Sequence, residues 1–237
     1  VVDYYYQGND MKKSSIAAAL FCAAFMTTAH AAETAVLKLK GTLTNSACTP
    51  ELSNGGIADF GYIRTAELSA TQTNQIGKRD ITLTINCQTK TQVGWSIVDN
   101  RADSLPSPFI TVDDAAANGE YAFSGSSTFG VGKTPGGVNI GAYAVYADLP
   151  NVTGNGIAVD VLSHAGDSST WTKSTTGRPT IGVDVFTVTN KGEKEPIAFT
   201  EAVFPLKVVL AVQATDKLSI TDDAPLDGQA TISLTYL

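Results

Sequence analysis

Few side chains in this sequence can do chemistry. Its 237 residues include two histidines and three cysteines. His30 and Cys22 fall in an N-terminal stretch that reads as removable, which leaves His164, Cys48 and Cys87. A Ser-His-Asp site would use His164 to take a proton from a serine presented on a strained G-x-S-x-G elbow. No such elbow occurs, and His164, close to Ser163 and Gly166 in a predicted loop, reads as a solvated side chain. Zinc needs three or four Cys or His ligands, more than remain once the cysteines pair. Gly132-Lys133-Thr134 imitates the end of a phosphate-binding loop, but the glycine required five residues earlier is Ser127 and no helical pattern follows. Asp113-Asp114 and Asp222-Asp223 offer oxygen ligands for calcium without the D-x-D-x-D-G spacing, so they read as solvated turn acids. No catalytic residue, metal site or cofactor is expected, and the chain is not expected to be an enzyme.

Composition narrows the partners. Charged residues make up only 16% against 43% hydrophobic, which suits a packed core and not a disordered chain. The net charge of −7, with basic residues scattered singly, argues against nucleic acid, whose phosphates require clustered Lys and Arg. Met11, Lys12 and Lys13 open a positive start, residues 16–26 are apolar, and Ala29-His30-Ala31 is a small-x-small cleavage site. Residues 11–31 therefore read as a secretory signal peptide too short to span a membrane, and 1–10 as sequence upstream of the native start. Removing them takes two lysines and two aspartates, so the charge is unchanged. The mature chain is expected to leave the cytoplasm. In an oxidising compartment Cys48 and Cys87 are expected to pair, closing a loop of about 40 residues for about 4 kcal/mol of chain-entropy stabilisation.

The elements that must carry this chain have a period of two. Ile81, Leu83, Ile85 and Cys87 share one face of a stretch whose other face is Thr82, Thr84 and Asn86. Residues 93–97, 157–161 and 181–185 repeat the alternation, while 138–146 and 203–212 are apolar on both faces and read as central strands. Turn clusters stand at 53–56, 135–137, 151–156 and 222–225. No amphipathic helix exceeds two turns, and 66–75 reads either way. Eight to ten strands with no linker predict a single all-β domain over 48–237, a Greek-key β-sandwich.

Both ends alternate too. Ala35, Leu37, Leu39, Gly41 and Leu43 share a face in residues 32–47, and Ala230, Ile232, Leu234 and Tyr236 share one at the C-terminus. Periodicity alone allows these to be ordinary strands of a closed sandwich.

Gly41 seven residues before Cys48, Cys87 ending a hydrophobic strand, and the penultimate Tyr236 resemble the chaperone–usher pilins. Segments 39–48 and 59–64 sit where pilins place their N-terminal extension and following strand. The whole mature chain is similar to the uncharacterised family of probable β-fimbrial major subunits. Residues 111–191 are longer than in a minimal pilin, and the pilin glycine about fourteen residues from the C-terminus is here Ala224, with Gly228 nearest.

The resemblance implies an immunoglobulin-like, pilin-type incomplete antiparallel sandwich lacking its last strand. Residues 32–47 of a neighbour would supply that strand by donor-strand exchange, through Leu37, Leu39, Gly41 and Leu43. Ile232, Leu234 and Tyr236 would form the groove edge read by a periplasmic chaperone. The implied partners are further copies or sibling pilins, that chaperone, an outer-membrane usher, and a host glycan or surface receptor. The implied location is a fimbrium on a Gram-negative cell. One rival is a secreted monomeric carbohydrate-binding sandwich stacking sugars on Trp171, Tyr121, Tyr143 and Tyr146; another is a secreted hydrolase using His164 or the Asp pairs.

Overall fold

In the middle of the longest strand Ile81, Leu83 and Ile85 alternate with threonines, and the alternation decides which face is buried. The structure, a computed structural model, describes residues 47–237 apart from 167, 169, 221 and 222. In chain order the strands are β1 (Cys48–Leu52), β2 (Asn74–Thr91), β3 (Val93–Asp99), β4 (Phe129–Gly130), β5 (Gly141–Ala147) and β6 (Thr153–Gly154). They continue with β7 (Ile157–Ala158), β8 (Asp160–Ala165), β9 (Thr172–Lys173), β10 (Asp184–Thr189), β11 (Phe199–Val212) and β12 (Ala230–Tyr236). One four-residue helix, α1 (Thr215–Leu218), precedes β12. Along β2, Ile81, Leu83, Ile85 and Cys87 are buried, as the pattern requires.

The protein is an all-β, two-sheet antiparallel sandwich. One sheet runs β1-β2-β11-β5-β4, with β6 attached to β11 and β7 to β6, and the other runs β12-β3-β10-β8-β9. Consecutive strands β2 and β3 stand in different sheets, as do β11 and β12, so the chain crosses between layers in the manner of Greek-key sandwiches. β11 is central, paired to β2 over most of its length and to β5 from Leu206 to Val212. Its apolar character on both faces follows from that position.

Between the sheets, Leu83, Ile85, Trp95, Phe186, Phe199 and Phe204 are fully buried. Trp95 meets Phe186 at 5.3 Å and Phe204 edge-on at 5.7 Å between ring centroids. Burial of each large aliphatic or aromatic side chain contributes about 1.5–3 kcal/mol. Gly77, at φ +115°, carries a bulge that leaves Ile76 between the partners of Leu210 and Ala211.

Some sequence expectations need correction. The stretch 157–161 is not one strand: Gly156 has positive φ, and Val159 breaks the ladder between β7 and β8. Residues 181–183 form a turn, and β10 begins only at Asp184. His164 stands in β8, paired opposite Val185, not in a loop. Segment 59–64 forms no strand. Tyr143 and Tyr146 belong to a central strand, where Tyr143 stacks on Phe129 at 4.8 Å and Tyr146 is buried, so neither offers a sugar platform. Among the described residues no helix is long and apolar enough to cross a membrane.

Candidate functional site

The two sheets close differently at their edges. β1 opposes only Leu83 to Cys87 of β2, and Cys48 faces Cys87 directly, so the two sulfurs bond at 2.04 Å. β1 stops at Leu52 because Asn54, Gly55 and Gly56 turn with φ of +53°, +61° and +78°, which no strand tolerates. Past that turn, among the described residues, no strand pairs with β2 on the side away from β11. Segment 57–64 lies there instead, held by side chains. Arg79 Nε donates to the Asp59 carbonyl at 2.6 Å, and its guanidinium sits 4.7 Å over the Phe60 ring. Phe60 and Ile63 pack on Val131, Ile140, Leu210 and Val212.

In the facing sheet β12 pairs, among the described residues, with β3 alone, setting Ile232 against Ile97, Leu234 against Trp95 and Tyr236 against Val93. The Cys48 backbone N–H donates to Tyr236 Oη at 2.9 Å, and the Leu237 N–H donates to the Gln92 carbonyl at 3.1 Å. β1 and β12 therefore border the same side of the sandwich, joined at one end.

Along that side runs a groove of about 1410 Å³. Ile81, Leu206, Val208 and Leu210 line it from one sheet, and Ile97 and Ile232 from the other. Tyr143 closes the floor, and burial, reinforced by the Asp99 charge, pushes its phenol above the ordinary tyrosine range. The chain leading into β12 forms one rim. Asp227 is fixed there by a two-pronged bond from Arg101 at 2.9 and 3.1 Å, and its N–H donates to the Val131 carbonyl at 2.7 Å. Ala224 packs into the Val131 cluster, while Gly228 stands where a Cβ would come within 3.0 Å of the Tyr143 ring. This walls an apolar slot beside the one edge of β12 that pairs with no strand among the described residues, the geometry that accepts an extended peptide by main-chain hydrogen bonding.

Of the residues singled out in the sequence, Cys48 and Cys87 are bonded, Ile232 lines the groove, Leu234 packs against the main core, and Tyr236 sits half-exposed at the seam. Leu37, Leu39, Gly41 and Leu43 lie outside the described residues, as do segments 1–10 and 11–31. Sequence reasoning missed the walls given by Leu206, Leu210, Phe60 and Ile63. The signal was present as apolar residues on both faces of 203–212 and as Phe60 and Ile63 in a segment that forms no strand.

The remaining chemical candidates disperse. His164 Nδ1 lies 3.1 Å from its neighbour's Ala165 carbonyl oxygen, and its ring meets Trp171 edge-on at 4.2 Å. Asp114 pairs with Lys78, and Lys133 of the loop-like motif with Asp103 at 2.9 Å. Among the described residues no three His, Cys, Asp or Glu side chains gather where they could hold a metal.

Known proteins place the chain among relatives. Residues 37–144 match the family described as "Protein of unknown function (DUF1120)". The uncharacterized protein YhcF of Escherichia coli (strain K12) is 34% identical over 228 residues, 90% of this chain and 94% of YhcF. The chain belongs to this family. Protein GltF of the same organism is 29% identical over 255 residues, 96% of this chain and 98% of GltF. Among solved structures it is similar to the P pilus rod subunit PapA, at 14% identity over 79% of this chain and 99% of that one. The TM-score is 0.33.

Proposed function

We propose that this protein is a structural subunit of a surface fimbria and polymerises by donor-strand exchange. One observation carries the reading: an apolar groove runs beside β12, whose only strand partner among the described residues is β3. The occupant is the alternating segment 32–47 of a second copy or a sibling subunit. Leu37, Leu39 and Leu43 would enter the slot, and Gly41 would meet the wall where backbones approach closely. Three leucines buried at about 1.5–3 kcal/mol each give about 5–9 kcal/mol before ordering costs. Donor and acceptor surfaces differ, so the contact is heterologous and grows an open filament. Before assembly a periplasmic chaperone covers the β12 edge and an outer-membrane usher exports the subunit to the cell surface.

Co-expression of the full chain with its chaperone and usher, followed by negative-stain microscopy of the secreted material, tests this. The full chain should give fibres and a chain lacking residues 32–43 none, while Gly41→Arg should still bind the chaperone but not enter fibres. Fibres from the deleted chain overturn the proposal. So does a stable full-length monomer with its own extension seated in its own groove. The monomeric carbohydrate-binding reading keeps one supporting observation, a second depression on the molecule.

A further inference from the structure

We infer that the cleft between residues 120–127 and 172–180 binds a neutral oligosaccharide. It measures about 710 Å³, within the range of small-ligand sites, and lies in the enlarged middle of the chain, apart from the groove residues. Two aromatic rings open onto it. Ala122 is buried and bridged in both directions to Val112, and this extended backbone throws Tyr121 and Phe123 to the same outer side. The rings contact each other at 5.8 Å and 48°, yet remain 58% and 53% exposed. A paired aromatic face left half in water is unfavourable for an isolated domain and is what the apolar C–H face of a pyranose packs against.

Hydroxyls line much of the cleft beside the rings. Ser124 Oγ lies 2.9 Å from both Ser126 Oγ and Ser127 Oγ, while Ser163, Thr172, Thr175 and Thr180 line the rest. Each hydroxyl both donates and accepts, as sugar hydroxyls demand. The walls are pre-set. Arg178 Nη1 donates to the Ala115 and Tyr121 carbonyls at 3.1 Å each, tying the second wall to the ring-bearing segment. The Ile181 N–H donates to the Ser126 carbonyl at 2.9 Å, and Asp184 Oδ2 accepts from the Thr180 N–H at 2.8 Å.

Charge selects the class. The lining acids Glu120 and Asp184 balance the lining bases Lys173 and Arg178. Arg178 also reaches Glu120 at 4.0 Å, and Lys173 is drawn off to Asp160 at 2.8 Å. Neither sign dominates, so the ligand is uncharged. Binding here does not depend on the groove being filled, and each copy in a filament would carry its own cleft.

The test is an array of defined neutral, sialylated and sulfated oligosaccharides probed with the full-length protein, followed by calorimetric titration of the strongest neutral binder. Neutral sugars should be retained. Tyr121→Ala and Phe123→Ala should each weaken binding about tenfold or more. Tyr62→Ala, which removes a fully exposed ring elsewhere, should leave it unchanged. Phe123→Tyr, which keeps a ring, should also bind, and this guards against misfolding of the alanine variants. Retention of acidic glycans alone, no retention, or binding indifferent to both ring truncations overturns the inference. Fibre formation is read separately, so failure here leaves the polymerisation reading standing.

Discussion

The groove and the cleft are both depressions in one sandwich, but they are made from different parts of the chain. Strands build the floor of the groove, and the segments before β2 and β12 build its rims. Leu206, Val208, Leu210 and Val212, every second residue of β11, face it in a rank with Ile81, Ile97 and Ile232, and beside it runs the edge of β12 that pairs with no other described strand. Loops build the cleft, where turns aim hydroxyls and two aromatic rings into water. A regular wall suits a regular ligand, another strand, whose side chains repeat at the same spacing. An irregular, hydrogen-bonding wall suits a ligand with donors and acceptors in many directions. If the two surfaces are independent, injury to one should leave the other intact.

The largest expected effect is on the groove side. Replacing both Cys48 and Cys87 by alanine should cost about 4 kcal/mol in urea unfolding, from the loop of separation 39 that the bond closes. Sugar binding by whatever fraction stays folded should be unaltered. A loss under 1 kcal/mol would show that the β1–β2 ladder holds this edge without the bond.

Next is Ile232→Asp, a charge set into the groove wall from the strand edge. Ile232 is only half-buried, so the subunit should lose about 2 kcal/mol by denaturation, while microscopy should show no fibres. Normal fibres would mean that the donor does not pack against this face of β12.

The third measurement moves to the cleft side. Burial would raise the Asp160 carboxyl, but bonds from Lys173, the Gly192 N–H and Lys191 outweigh it and hold it at about 2, below the ordinary 3.8. A depressed carboxyl stabilises the fold above its unfolded value and loses that contribution as pH falls through the folded one. Stability should therefore decline between about pH 4 and pH 2, by on the order of 1–2 kcal/mol because both lysines are half in water. Asp160→Asn should flatten this part of the curve in pH-dependent melting. It also frees Lys173 beside the cleft, so sugar affinity should shift while fibre formation does not. An unchanged acid limb would show that Asp160 is not a stabilising anchor.

How much of this was legible in the sequence follows from the same contrast. Alternation at Ile81 to Cys87, Val93 to Ile97 and Ala230 to Tyr236 named the strands and their buried faces, because period two is a property of the backbone itself. The cysteine pair was legible from count and compartment. Segment 59–64 was placed as a strand by its resemblance to pilins, with no alternation of its own to support it, and it forms none. Only the structure shows Arg79 holding it by a carbonyl and a ring face. Tyr143 and Tyr146 looked like sugar platforms because aromatic type does not reveal that β5 lies inside a sheet, between β11 and β4. Of the proposed platform residues Tyr121 alone faces the cleft, and its partner Phe123 went unmarked because their alternation spans only three residues.

The smallest expected effect tests where groove and chain end meet. Tyr236→Phe removes the hydroxyl that accepts the Cys48 N–H at 2.9 Å but leaves the ring. The residue is 54% exposed, so water can replace the lost acceptor and the subunit should lose only about 0.5–1 kcal/mol by denaturation. That bond joins the edges of the two sheets at the residue from which segment 32–47 departs. If the departing backbone is aimed by it, fibres of Tyr236→Phe should form more slowly or with altered pitch despite near-normal subunit stability. If fibre growth falls only as far as stability does, the hydroxyl merely closes the end of the sandwich, and the direction of the extension is set by the Cys48–Cys87 bond.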